Sequence, residues 1–193
     1  MKYLLLFFLI VPAAAQTTLD PDFLEKWSVR PAVPCDLDIK DSPTVRGLKL
    51  GMTREETLKI IKPSTGVALN KYINFFQRAE LAKLQGFIDV DKLAIFFDEP
   101  TVDSKLLVVS HLQFYYSDKL IWNNTGEFFD NIVSNLSLPK ASFVTPENSF
   151  IGSVLKCKGF LVTVQRNDLA LQSTSHFDDT YRRIIEKKKN FKP

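Results

Sequence analysis

Two cysteines, Cys35 and Cys157, are the only ones in the chain, and most of its length lies between them. Whether they join decides which ends of the fold are held together, and the opening of the sequence bears on the answer. Lys2 is followed by an unbroken apolar run over residues 3 to 11, then Pro12, the small residues Ala13, Ala14 and Ala15, and polar Gln16. A charged start, an apolar run and an A-x-A site form the order that signal peptidase reads, with cleavage expected after Ala15. The run falls well short of the roughly 20 residues that span a bilayer, so residues 1–15 read as a leader rather than an anchor. No cysteine follows the small residues, so no lipid anchor is expected, and Lys and Asp interrupt every later apolar stretch. The remainder is therefore expected to be secreted or periplasmic, soluble after cleavage and without a transmembrane segment. In that oxidising setting a lone pair of cysteines is expected to form a disulfide. Closing a loop of about 120 residues would stabilise the fold by roughly 4 to 5 kcal/mol on the chain-entropy account. Neither cysteine lies in a C-x-x-C or beside a base that would make it a reactive thiol.

The cross-link would tie an arm to a domain. Residues 16–43 include Pro21, Pro31, Pro34 and Pro43, too many for a helix or a central strand, and read as extended. At residues 45–50 a short strand is expected. Gly51 then turns the chain into a helix that Thr53 caps, with Glu56 completing the capping box and Leu58 and Ile61 on its apolar face until Pro63 stops it. Residues 72–84 place apolar side chains at helical intervals and predict a second helix. Residues 87–97 and 105–116 predict two strands joined as a hairpin. In the second strand, Leu107, Val109, His111, Gln113 and Tyr115 alternate with Leu106, Val108, Ser110, Leu112, Phe114 and Tyr116. Asn124 and Glu127 open another helix with Phe128, Phe129, Ile132, Val133 and Leu136 along one stripe, ended by Leu138 and Pro139. Strands over 153–165 and 169–173 come next, with Asn167 and Asp168 at their turn. The order predicts an α+β fold, an antiparallel sheet with helices packed on one face, over residues 44–175. A tandem helix-strand-strand repeat, with halves 44–118 and 119–175, is a further expectation from element order. The sixteen phenylalanines suit a core under such a sheet.

Gly51-Met52-Thr53-Arg54-Glu55-Glu56, between Leu48 and Leu50 on one side and Leu58 and Ile61 on the other, resembles the G-M-T-x-x-E helix opening of a superfamily of secreted α+β proteins. It includes the BamE (SmpA/OmlA) family and the β-lactamase inhibitor protein. Here Ile60-Ile61-Lys62-Pro63 stands where a Leu-Gly-x-Pro often ends that helix, and the lipid-bearing cysteine is absent. The resemblance implies an envelope or exterior protein that binds another protein through a sheet face, without catalysis. Cys35, the stretch 122–129, Leu138-Pro139 and Cys157-Lys158-Gly159-Phe160 also look like tandem-repeat exported proteins of unknown role.

Residue chemistry narrows the remaining choices. Residues 176–193 form a basic tail, expected to be helical, in which Arg182, Arg183, Lys187, Lys188, Lys189 and Lys192 face only Glu186 after residue 180. The body before it carries a small acidic excess, which excludes nucleic acid as a partner on composition. The tail could meet a peripheral anionic surface, with Ile184, Ile185 and Phe191 as apolar anchors. His176 with Asp178 and Asp179 is too small a set for a metal site, which needs three or four ligands. His111, beside Gln113 and Tyr115, could act as an acid or base, but no G-x-S-x-G turn or phosphate-binding glycine loop accompanies it. No cofactor, metal or catalytic residue is expected. Asn123 and Asn135 match the glycan acceptor motif. The sequence thus predicts a secreted, non-catalytic protein-binding module whose face includes His111, Gln113 and Tyr115. The alternatives are a small exported enzyme using His111 or His176, or an envelope-surface protein held by its basic tail.

Overall fold

The computed structural model of the chain describes residues 31–61, 70–99, 106–117, 125–145 and 152–175. Its centre is one antiparallel sheet of seven strands in the order β1-β2-β3-β7-β6-β5-β4. The strands are β1 (Ile73–Gln77), β2 (Val90–Asp98), β3 (Val108–Tyr116), β4 (Phe143–Val144), β5 (Ser153–Lys156), β6 (Phe160–Gln165) and β7 (Asp168–Ser173). Three helices accompany them: α1 (Arg54–Ile61), a single turn α2 (Arg78–Leu81) and α3 (Thr125–Asn135). The fold is α+β, with the sheet predominating. Three strands follow α1 and four follow α3, so the expected repeat of one helix and two strands is not supported by the element order. Its two meanders, β1 to β3 and β4 to β7, meet where β3 pairs with β7.

One face of the sheet is the core. Leu93, Ile95 and Phe97 of β2, Leu112, Phe114 and Tyr116 of β3, Phe160, Val162 and Val164 of β6 and Leu169 and Leu171 of β7 all point into it. Ile61 of α1, Leu81 of α2 and Phe128, Ile132 and Val133 of α3 close over them. The apolar stripe of α3 is thus the expected one, and Asn124, its expected cap, lies outside the described residues. Burying a side chain such as Phe114 fully contributes roughly 1.5 to 3 kcal/mol, so the cluster is the main source of stability.

The opening of α1 is formed as expected. Thr53 Oγ1 accepts from the Glu56 N–H at 3.2 Å, and Glu56 Oε2 accepts from the Thr53 N–H at 2.9 Å. The Thr53 N–H, and then the Thr53 hydroxyl donating to Glu56 Oε2 at 2.8 Å, hold the Glu56 carboxyl below the usual carboxylate range. Gly51 takes φ +81°, which a side chain would strain, and its N–H donates to Val109 O at 2.8 Å. The expected strand at 45–50 is instead a tight reversal in which Val45 bridges Leu48, with Arg46 and Gly47 both at positive φ.

Four further expectations need correction. Residues 72–84 do not form one helix. Phe75 and Phe76 are adjacent, and strand geometry sends Phe76 into the core while leaving Phe75 60% exposed, where a helix would place both on one stripe. Pairing with β2 along all of β1 decides the matter, and only Arg78–Leu81 remains helical. The alternation across β3 also changes phase. His111 pairs with Phe96 but Val109 with Phe97, so Ser110 is an extra residue in a β-bulge. Leu107 and Val109 therefore join the core, opposite His111, Gln113 and Tyr115. Residues 153–165 form two strands, because Cys157 to Gly159 reverses the chain and the Cys157 N–H donates to Phe160 O at 2.9 Å. Finally, the strand expected at 87–97 begins at Val90 and that at 105–116 begins at Val108.

The arm is fastened at that reversal. Cys35 and Cys157 form a disulfide across 122 residues, as expected. The Gly159 N–H donates to Leu37 O at 3.2 Å, and a Cβ at 159 would lie 2.2 Å from Ile39 N, so only glycine lets the arm approach.

Candidate functional site

The second face of the sheet is the candidate site, and strand register assembles it. In one row Ile73 pairs with Phe96, Phe96 with His111, His111 with Gln172, Gln172 with Leu161 and Leu161 with Lys156. In the next row lie Phe75, Ala94, Gln113, Ala170, Thr163 and Val154. A third runs Gln77, Lys92, Tyr115, Asp168 and Gln165. The sequence-predicted trio His111, Gln113 and Tyr115 thus occupies the middle of the face, one residue in each row. All three are half-buried rather than fully exposed.

Exposure changes across the face. At the β1 margin Ile73 is 36% exposed and Phe75 60%, whereas Ala94, Leu161 and Val154 are each 2% exposed. Phe75 meets Phe96 edge-on at 6.2 Å between ring centroids, and Phe96 stacks on His111 at 4.8 Å. The margin is therefore a run of aromatic surface with its outermost ring open to solvent.

The polar centre is Asp168, at the start of β7. Gln113 Nε2 donates to Asp168 Oδ2 at 2.9 Å, while Oδ1 is buried and has no hydrogen-bonding partner. Burial pushes the Asp168 carboxyl up to about 6, and the Gln113 bond opposes that rise. Tyr115 is also pushed up, first by burial and then by the neighbouring Asp168 charge. By sequence alone Asp168 reads as a turn residue. Its row partners Tyr115 and Gln165 are set by register, and no local pattern in the sequence carries that.

The edge of β1 is guarded differently from its face. The Phe97 N–H donates to Tyr72 O at 2.7 Å, so the alternating main-chain groups of Ile73, Phe75 and Gln77 point away from β2. The Ile73 N–H is taken by Asn70 Oδ1 at 3.3 Å and the Gln77 N–H by Glu80 Oε2 at 3.0 Å. Side-chain capping of this kind blunts an edge against strand addition.

Among the described residues no group of three His, Cys, Asp or Glu side chains could hold a metal ion. Also among them, no helix is long and apolar enough to cross a membrane. His176, Asp178, Asp179 and the basic residues Arg182, Arg183, Lys187, Lys188, Lys189 and Lys192 lie outside the described residues, as does Asn123. Asn135 is exposed at the end of α3. Comparison with known proteins finds no match to a family model, to a curated protein or to a solved structure.

Proposed function

We propose that this is an exported, non-catalytic protein-binding module whose partner lies against the β1 margin of the second face. The observation that carries this reading is the apolar margin of Ile73, Phe75 and Phe96, in which Phe75 is 60% exposed on a strand that pairs with β2 along its whole length. Aromatic side chains on rigid elements bury large area at small entropic cost, which is what binding hot spots require. Half-buried His111 and Gln113 next to them supply polar groups for orientation. The capped N–H groups of Ile73 and Gln77 favour contact through side chains over addition of a partner strand. The leader-like residues 1–15 and the disulfide favour an envelope or exterior setting, as does the resemblance to the BamE and β-lactamase inhibitor superfamily.

Co-purification from the envelope fraction tests the reading. A stoichiometric partner is expected, retained by Val33→Asp on the exposed arm and lost with Phe75→Asp, both variants keeping the parental circular dichroism. A protein that is monodisperse and alone, or a partner that tolerates Phe75→Asp, would overturn it.

A further inference from the structure

Asn135-Leu136-Ser137, at the end of α3, has the form of an acceptor triplet for an N-linked glycan, a bulky modification that needs an exposed asparagine. The structure meets that need. Asn135 and Ser137 are both exposed, while Leu136 between them is half-buried and packs against the core. One turn earlier, the Asn131 amide donates back to Glu127 O at 2.9 Å and is engaged by its own helix. Among the described residues, the Asn135 amide and the Ser137 hydroxyl make no hydrogen bond.

The backbone gives a second reason. α3 ends in a Schellman turn: the Ser137 N–H donates to Ser134 O at 3.1 Å and the Leu138 N–H to Val133 O at 2.9 Å. Leu138 is 7% exposed and joins Ile132 and Val133 in the core, so packing requires the turn. Ser137 takes φ +51° at the position where such turns favour glycine, because a side chain strains the left-handed conformation. Packing does not require the serine. Glycine would suit the backbone better and would break the triplet, whose third position must be Ser or Thr.

We propose that Asn135 is a modification site, carrying an N-linked glycan added during export. In the transfer, Asn135 Nδ2 forms a bond to the anomeric carbon of a lipid-linked oligosaccharyl diphosphate, and the bond from that carbon to the diphosphate oxygen breaks. The lipid diphosphate leaves, and the amide gives up one proton to the transferase. α3 packs on the core side of the sheet and leads through residues 140–142 into β4, the edge strand opposite β1. The glycan therefore stands on the helical side, at the edge away from Phe75, and leaves the β1 margin uncovered. This site rests on the proposed export through residues 1–15 and does not depend on the proposed partner.

Expression of the full chain, residues 1–15 included, in cultured animal cells tests this. The secreted protein is expected to lose apparent mass on treatment with peptide-N-glycosidase. Cleavage after Glu127 with a glutamyl endopeptidase separates Asn135 from the other acceptor, Asn123. Mass spectrometry after glycosidase treatment in heavy-oxygen water should then find Asn135 converted to labelled Asp. Asn135→Gln and Ser137→Gly should each abolish that label, and Ser137→Thr should retain it. Secreted protein with Asn135 unmodified, or a label that survives Ser137→Gly, would overturn the inference and leave the export reading standing. Chain held inside the cells, unmodified and with residues 1–15 uncleaved, would overturn both.

Discussion

Replacing Asp168 with Asn probes the polar centre of the second face without changing its shape. In the folded chain burial raises the Asp168 carboxyl from the ordinary 3.8 to about 6. A group that holds its proton more tightly when folded favours the native state at low pH, and that advantage is lost as the pH rises from about 4 through 6. The difference is about two pH units, and at about 1.4 kcal/mol for each the ionised carboxylate costs about 3 kcal/mol at neutral pH. Asn cannot ionise, and its carbonyl oxygen can still accept from Gln113 Nε2. Urea unfolding of both proteins at a series of pH values from 4 to 7 measures the effect. Asp168→Asn is expected to be more stable by about 1 to 3 kcal/mol at pH 7, and the gap should close towards pH 4. Other groups, Glu56 with its lowered carboxyl among them, titrate alike in both chains and cancel in the difference. A variant equal to or weaker than the parent at pH 7, with a difference that stays flat across the range, would refute the reasoning.

Other sites give independent expectations. Changing Cys35 and Cys157 to Ala should cost roughly 4 to 5 kcal/mol in denaturant unfolding, because the bond closes a loop of 122 residues. Gly159→Ala should weaken the arm's attachment, since its Cβ would lie 2.2 Å from Ile39 N, and limited proteolysis near residue 39 should accelerate while β2 and β3 stay resistant. Thr53→Ala removes the hydroxyl that caps α1 and should lower stability by about 1 kcal/mol, measured by thermal or urea unfolding. Phe114→Ala empties the centre of the core and should cost about 3 to 5 kcal/mol by the same assay.

Legibility in the sequence followed the range of the interactions involved. The capped opening of α1 is settled by residues within a few positions of Thr53, and the stripe of α3 by a simple helical interval, so both could be read directly. The β-bulge at Ser110 could not, because the extra residue is defined only against Phe96 and Phe97 on the neighbouring strand. That one residue reverses the faces of Leu107 and Val109 while leaving His111, Gln113 and Tyr115 together as expected. Residues 72–84 misled for a related reason: the apolar spacing fits a helix, and pairing with β2 overrides it. Gly159 and Cys157 hide the reversal between β5 and β6 inside a stretch that reads as one strand, and the closeness of the arm explains the glycine. Of the candidate face, the β3 residues were legible by alternation. Ile73, Phe75, Phe96 and Asp168 reach it only through the order of strands in the sheet.

The proposed binding role is tested most directly at Phe75. A photo-reactive benzoylphenylalanine placed at position 75 of the chain, with position 33 as the exposed control, reports what touches the margin. The proposed role predicts one partner protein trapped from position 75, absent from position 33, and displaced by excess unlabelled parental chain but not by Phe75→Asp. No adduct at position 75, or the same adducts from both positions, would contradict it.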